Sequence, residues 1–183
     1  SPEFKESLMM IRASVLEDTE AKRYALLDRT MVSVLESVKN NKRTTVRSGH
    51  DVGKSFVAAD AAIWFLYTYF PSIVLTTAPT WRQVEKILWG EIKSHLLKAK
   101  IPLGGKVLET EIKIQPKWYA MGFSSDKEDS FQGFHEENIL MIVDEPSGIK
   151  DKIFDQIDSV LANKNARLLL VGNPTNPHGY FAR

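Results

Sequence analysis

The chain changes rhythm several times, and each change marks an element. From Val15 to Lys39 apolar residues stand at Leu16, Ala25, Leu26, Met31, Val34, Leu35 and Val38, the later ones at helical spacing. Asn40 and Asn41 then supply a stop. Thr44 to Arg47 is a short β-branched run that leads into a glycine-containing stretch. Ser55 to Phe70, rich in Ala, Phe and Trp, predicts a buried helix ended by Pro71. Ser72 to Ala78 (SIVLTTA) predicts a strand. Thr80-Trp81-Arg82-Gln83 has the form of a capping box and opens an amphipathic helix running to about Lys98. Lys106 to Ile114 alternates apolar with polar and predicts one strand, paired as a hairpin with Lys117 to Phe123 across Gln115-Pro116. Ser124 to Ser130 is polar and loop-like. Two unbroken apolar strands follow, Ile139 to Val143 and Leu168 to Val171, with helical spacing from Ile153 to Leu161 between them.

Helices alternating with continuously apolar strands define an α/β chain whose sheet is mostly parallel and covered on both faces. The 183 residues suffice for one domain with a substantial core. A hydrophobic fraction of 43% and a charged fraction of 26% belong to an ordinary globular protein. The formal net charge of +1 provides no global attraction to nucleic acid, so any such partner must be met by local patches. With no cysteine, disulfide frameworks and thiolate metal sites are excluded. The longest apolar run, Phe56 to Phe70, is interrupted by Asp60 and falls short of the ~20 residues a membrane span needs. No signal peptide or internal repeat is visible, and Ser1-Pro2-Glu3-Phe4 reads as a cloning remnant.

Three strand ends carry candidate chemistry. The first is RSGHDVGKS, Arg47 to Ser55. A phosphate-binding loop needs backbone amides in a concave nest, a lysine for the outer phosphates and a hydroxyl at the start of the next helix for Mg²⁺. Ser48, Gly49, His50, Asp51, Val52, Gly53, Lys54 and Ser55 supply these between a strand and a helix, although the leading glycine stands one place late, at Gly49 rather than at Ser48. The bland alternative is a strand–turn–helix connection with an incidental lysine. The second strand end, ENILMIVDEPSG, delivers Asp144 and Glu145 together. A buried strand that ends in two carboxylates is costly unless they have work to do, and the C-terminal edge of a parallel sheet is where ligands bind. Asp144 would hold Mg²⁺ opposite Ser55, and Glu145 would polarise an attacking water. The third, LLLVGNPTNPHGYF, ends in Gly172-Asn173-Pro174. Asn173 is either a contact to the γ-phosphate or its water, or part of a plain Asn-Pro turn.

Other stretches have weaker signals. Arg82 and Lys86 share a helix face in TTAPTWRQVEK, either as contacts to a nucleic-acid backbone or as a solvated face. His135-Glu136-Glu137 has no second cluster to complete a metal site and reads as solvated loop. Trp64, Trp81, Trp89 and Trp118 read as core or rim.

With SGHDVGKS, the strand to TTAPT, the SFQGFH segment before ILMIVDE, and LLLVGNP in this order, the chain resembles the ATPase domain of a viral terminase large subunit, the motor that packages phage DNA. The resemblance runs from about Thr44 to the end. It implies an ASCE-type P-loop NTPase, a three-layer sandwich with a mostly parallel central sheet and an added β-hairpin. The helical segment would be residues 5–43 and the P-loop core 44–183. ATP and Mg²⁺ would be bound by the loop and by Ser55 and Asp144, with Lys54 on the β- and γ-phosphates, Glu145 as catalytic carboxylate and Asn173 in the coupling motif. The implied partners are double-stranded DNA, the portal protein and the small terminase subunit. The implied assembly is a homo-oligomeric ring, usually a pentamer, in the host cell cytoplasm, with a monomer expected in isolation and no membrane. The carboxylate cluster of the family's C-terminal nuclease has no match, so nuclease activity is not expected of this chain.

Two positions depart from the family. His50 stands where many members carry an arginine four places before the lysine, and Gln132 precedes Gly133 where others place one. A charge-stabilising arginine contributes roughly 10³–10⁵ in rate in related enzymes, so the chain either draws one from elsewhere, such as Arg47, Arg82 or residues beyond Arg183, or is slow in isolation. The alternatives are a helicase-like ATPase, which needs a second motor domain, and a regulatory nucleotide-binding module with little turnover.

Overall fold

The computed structural model describes residues 21–47, 53–125, 133–175 and 180–182. The tetrapeptide 1–4, the helix start expected near Val15, residues 48–52 of the phosphate loop, residues 126–130 of the polar loop and Gln132 lie outside them.

Helix α1 (Ala21–Asn40) precedes β1 (Arg43–Arg47), and α2 (Lys54–Thr68) precedes β2 (Ser72–Thr77). A helical segment then runs through a π-helical turn, Gln83–Leu88, into α3 (Trp89–Leu97). Strands β3 (Lys106–Val107), β4 (Glu111–Gln115), β5 (Trp118–Gly122) and β6 (Asn138–Asp144) follow, then α4 (Asp151–Val160) and β7 (Asn165–Gly172). One seven-stranded sheet has the order β1-β7-β6-β2-β5-β4-β3. From β1 to β5 all neighbours are parallel, and β4 and β3 add an antiparallel extension. Arg47, Gly172, Asp144, Thr77 and Gly122 therefore end on the same edge.

The two faces of the sheet separate by residue parity. Leu140 and Ile142 of β6, with Leu169 and Val171 of β7, pack under the helices α1, α2 and α3. Ile139, Met141 and Val143, with Leu168 and Leu170, pack against Ile153, Phe154 and Ile157 of α4. Helix α2 is apolar nearly all round, Asp60 excepted, because it lies across the middle of the sheet beneath its neighbours, and Val57 to Leu66 are buried without a break. Parity also aims Asp144 at the α2 side, since it continues the Leu140–Ile142 row.

The structure departs from the pattern-based reading in two places. The strand expected over Lys106 to Ile114 divides into β3 and β4, which pair with each other. The Leu108 N–H returns to the Glu111 carbonyl at 2.7 Å, and the Thr110 carbonyl accepts from Gly122 N–H at 2.8 Å. An alternating pattern passes through such a reversal unbroken, so periodicity alone does not reveal it. The helix after β2 has its capping box, with Thr80 N–H donating to Gln83 Oε1 at 3.0 Å and Gln83 N–H to Thr80 Oγ1 at 3.3 Å. Beyond it the Trp89 N–H reaches back to the Val84 carbonyl, five residues away, and closes a π turn over Gln83–Leu88. The extra residue lets Val84, Leu88 and Trp89 all face the core, and the Trp89 indole donates to Thr76 Oγ1 at 2.9 Å.

Candidate functional site

The C-terminal edge of the parallel strands brings together Lys54, Ser55, Asp144, Glu145 and Asn173. Strand order explains the grouping: β7 lies between β1 and β6, so Asn173 emerges between the strand that enters the phosphate loop and the strand that carries the acidic pair. Gly53 ends the loop with φ 73° and ψ 26°, a left-handed conformation in which a side chain is strained. Its carbonyl accepts from Val57 N–H at 3.0 Å, the first turn of α2.

Ser55 and Asp144 meet as parity requires: the serine hydroxyl donates to Asp144 Oδ2 at 3.2 Å. Asp144 is buried, and its Oδ1 has no hydrogen-bond partner among the described residues. Burial pushes its carboxyl up to about 6, and the neighbouring Glu145 charge adds to the shift, while the Ser55 hydroxyl and Lys54 oppose it. The serine hydroxyl and the buried carboxylate with a spare oxygen suit a hard divalent cation such as Mg²⁺, which takes one or two carboxylates and completes its shell with water and phosphate. No group of three His, Asp or Glu side chains suited to a metal occurs among the described residues, His135 to Glu137 included.

Glu145 stands just past the strand with φ 51° and ψ 56°, in the left-handed region that is uncommon for a non-glycine residue. Several contacts hold it there. Its N–H donates to the Val171 carbonyl at 2.8 Å, and its carbonyl accepts from Gly148 N–H at 3.1 Å. Its Oε2 accepts from Asn173 N–H at 3.2 Å. Its Oε1 lies 3.2 Å from the Lys54 ammonium. Gly172 makes this possible, because a Cβ there would stand 2.6 Å from Pro146 Cδ and 3.2 Å from Glu145 Cα. Asn173 thus enters the site through its backbone N–H; its carbonyl accepts from Ser147 Oγ at 2.8 Å. The roles of Ser147 and Gly172 emerge only from these contacts. The signal available for both was proximity to motifs already noted, DEPSG and GNP.

The arginine candidates are placed differently. Arg47 donates to the Phe181 carbonyl at 2.9 Å and lies over the Phe181 ring, 5.6 Å from its centroid. Arg82 is exposed at the start of the helix after β2. Lys86, on the same helix, lies 3.3 Å from Glu85 and 3.5 Å from Glu109, so much of its charge is met within the protein. Ser48, Gly49, His50, Asp51 and Val52 lie outside the described residues. Trp64 and Trp89 are in the core, and Trp81 is exposed at the rim.

A parallel sheet with the phosphate-loop helix on one face, and a third strand inserted between the loop strand and the acidic strand, defines an ASCE-type P-loop NTPase fold. Comparison with solved structures gives the same class. The fold superposes with a TM-score of 0.68 on the large terminase of the thermophilic bacteriophage D6E, at 18% identity over 84% of this chain and 41% of that one. It superposes at 0.63 on the large terminase ATPase domain of Thermus phage P74-26, at 18% identity over 81% of this chain and 66% of that one. A second D6E structure, solved in complex with ADP, matches at 0.66 with 16% identity, over 84% of this chain and 40% of that one. No family model matches the chain. In sequence, the chain is 33% identical over 159 residues to the probable terminase large subunit of Enterobacteria phage P7, covering 81% of this chain and 32% of that protein. The chain is therefore similar in sequence to one phage terminase large subunit, spans about a third of that relative's length, and has the fold of large terminase ATPase domains.

Proposed function

We propose that this chain is the ATP-hydrolysing motor portion of a phage DNA-packaging terminase, coupling hydrolysis to movement of double-stranded DNA. The observation that carries the reading is the joint placement of Lys54, Ser55, Asp144 and Glu145 at one sheet edge, next to the end of β7. In this reading the loop amides and Lys54 bind the phosphates, and the Lys54 ammonium is shared between the outer phosphates and Glu145. Ser55 and Asp144 would hold Mg²⁺, whose charge would offset that of the phosphates. Glu145 orients the attacking water and takes its proton. Phosphoryl transfer of this kind depends mostly on positioning and charge neutralisation rather than on covalent chemistry by the protein. DNA, the portal protein, the small terminase subunit and a ring of copies are the partners this reading assigns, with the host cytoplasm as the place of assembly.

The test is phosphate release from ATP with Mg²⁺, compared between the parent and Glu145→Gln. Loss of a positioned general base lowers turnover by roughly 10²–10⁴, with nucleotide affinity little changed. A parent without turnover, even when DNA and portal are supplied, would defeat the motor reading. A Glu145→Gln variant at full rate would defeat the assignment of the base.

A further inference from the structure

We propose that Ser147 is a positioning residue for Glu145, acting through the backbone of Asn173. The inference rests on the ATPase reading above and adds a residue to its machinery. Glu145 is in a left-handed conformation, so its carboxylate must be held by contacts rather than by backbone preference. One of its oxygens faces Lys54, whose ammonium the phosphates also claim. The other accepts the Asn173 N–H at 3.2 Å, a donor fixed to the end of β7. That N–H lies in the Gly172–Asn173 peptide plane, and the next plane, which carries the Asn173 carbonyl, is coupled to it through φ and ψ of Asn173; just beyond, the chain leaves the sheet at Pro174.

The Asn173 carbonyl is held at both ends of a short fork. Ser147 Oγ donates to it at 2.8 Å, and Thr175 N–H donates at 2.8 Å. Ser147 lies two residues after Glu145 in the 3-10 turn Pro146–Gly148, whose Gly148 N–H bonds the Glu145 carbonyl. The result is a closed circuit: Glu145 carboxylate to Asn173 N–H, Asn173 carbonyl to Ser147 hydroxyl, and Ser147 back to Glu145 along the chain. The circuit ties the loop after β6 to the loop after β7. Removing the Ser147 hydroxyl takes away a side-chain donor to the Asn173 carbonyl and loosens the constraint on the N–H that faces Glu145.

Two readouts test this, and they fail separately. By NMR of the chain without nucleotide, the Asn173 amide resonance should shift and its exchange accelerate in both Ser147→Ala and Glu145→Gln, while Ser147→Thr, which keeps the hydroxyl, stays near the parent. An unmoved Asn173 amide in Ser147→Ala would overturn the proposal. In ATP turnover, Ser147→Ala should lower kcat about tenfold, within the range that sub-ångström to 1 Å misplacement produces, with KM for ATP unchanged and Ser147→Thr restoring the rate. In the Glu145→Gln background Ser147→Ala should have no further effect, since both act through one carboxylate. A tenfold fall in that background as well, or an unchanged kcat in Ser147→Ala, would overturn the proposal. Lack of turnover in the parent would defeat the ATPase reading instead, and the amide experiment would then decide the Ser147 contact by itself.

Discussion

Gly172→Ala is the substitution that most directly probes how the fold builds the site. The added Cβ would lie 2.6 Å from Pro146 Cδ, 3.2 Å from Glu145 Cα and 3.3 Å from Glu145 Oε2. Carbon atoms in contact sit about 3.5–4.0 Å apart, so the Glu145–Pro146 corner must retreat by about 1 Å. A proline ring and a backbone atom have no rotamer by which to yield, so the retreat moves Glu145 itself. Overpacking of this kind destabilises by about 1–3 kcal/mol, and a 1 Å misplacement of a catalytic group lowers rate by on the order of 10²-fold. Urea denaturation and phosphate release, measured together, separate the two effects. Gly122→Ala is the matched control: its Cβ would meet Trp89 Nε1 at 2.4 Å and Val84 Cγ1 at 2.7 Å, on β5, two strands from β6. It should lose comparable stability with turnover nearly intact once folded protein is counted. Gly90→Ala, with nothing within 4 Å, should gain up to about 1 kcal/mol from helix propensity. If Gly172→Ala loses stability but hydrolyses ATP at the parent rate, the strain is relieved away from Glu145 and the reasoning is wrong.

Asp144→Asn should raise stability in the absence of Mg²⁺ and nucleotide. The carboxyl is raised from 3.8 to about 6, a native-state penalty of about 3 kcal/mol at neutral pH, and the amide's own unpaired N–H leaves a net gain of about 1–2 kcal/mol. The sign follows from linkage: the Asp144 contribution is fully present below 3.8 and is lost as pH rises through about 6. Denaturation curves at pH 5 and pH 7.5 should therefore diverge between parent and variant at the higher pH; parallel curves would contradict the burial argument. Asp60 and His95 form a buried pair, Oδ1 to Nδ1 at 2.8 Å, that joins α2 to α3. Asp60→Ala should destabilise by about 3 kcal/mol, whereas Asp60→Leu with His95→Leu should recover most of the loss. A double variant as unstable as the sum of the singles would show that packing, not the polar pair, holds this contact.

The elements themselves were largely legible in the chain. Unbroken apolar runs such as ILMIV and LLLV reveal buried parallel strands because both faces of such strands are covered, and the mostly apolar α2 is legible for the same reason. The candidate site was legible as residue types: a lysine and hydroxyl after glycine, an acidic pair at a strand end, an asparagine after another. Each stands at an end of a strand or at the start of the helix that follows, and that is a local property which spacing reports.

What local pattern could not reach was decided by strand order and by close contact. Only the sheet places β7 between β1 and β6, and so brings Asn173 beside Glu145 rather than beyond it. Only packing around Pro146 makes Gly172 necessary, and only the left-handed turn at Glu145 puts Ser147 on the Asn173 carbonyl. The π turn before Trp89 and the reversal between β3 and β4 belong to the same class. Periodicity records which face a residue shows its own element. Which residues meet across elements depends on long-range pairing and on distances of a few tenths of an ångström, and these exist only in the folded chain.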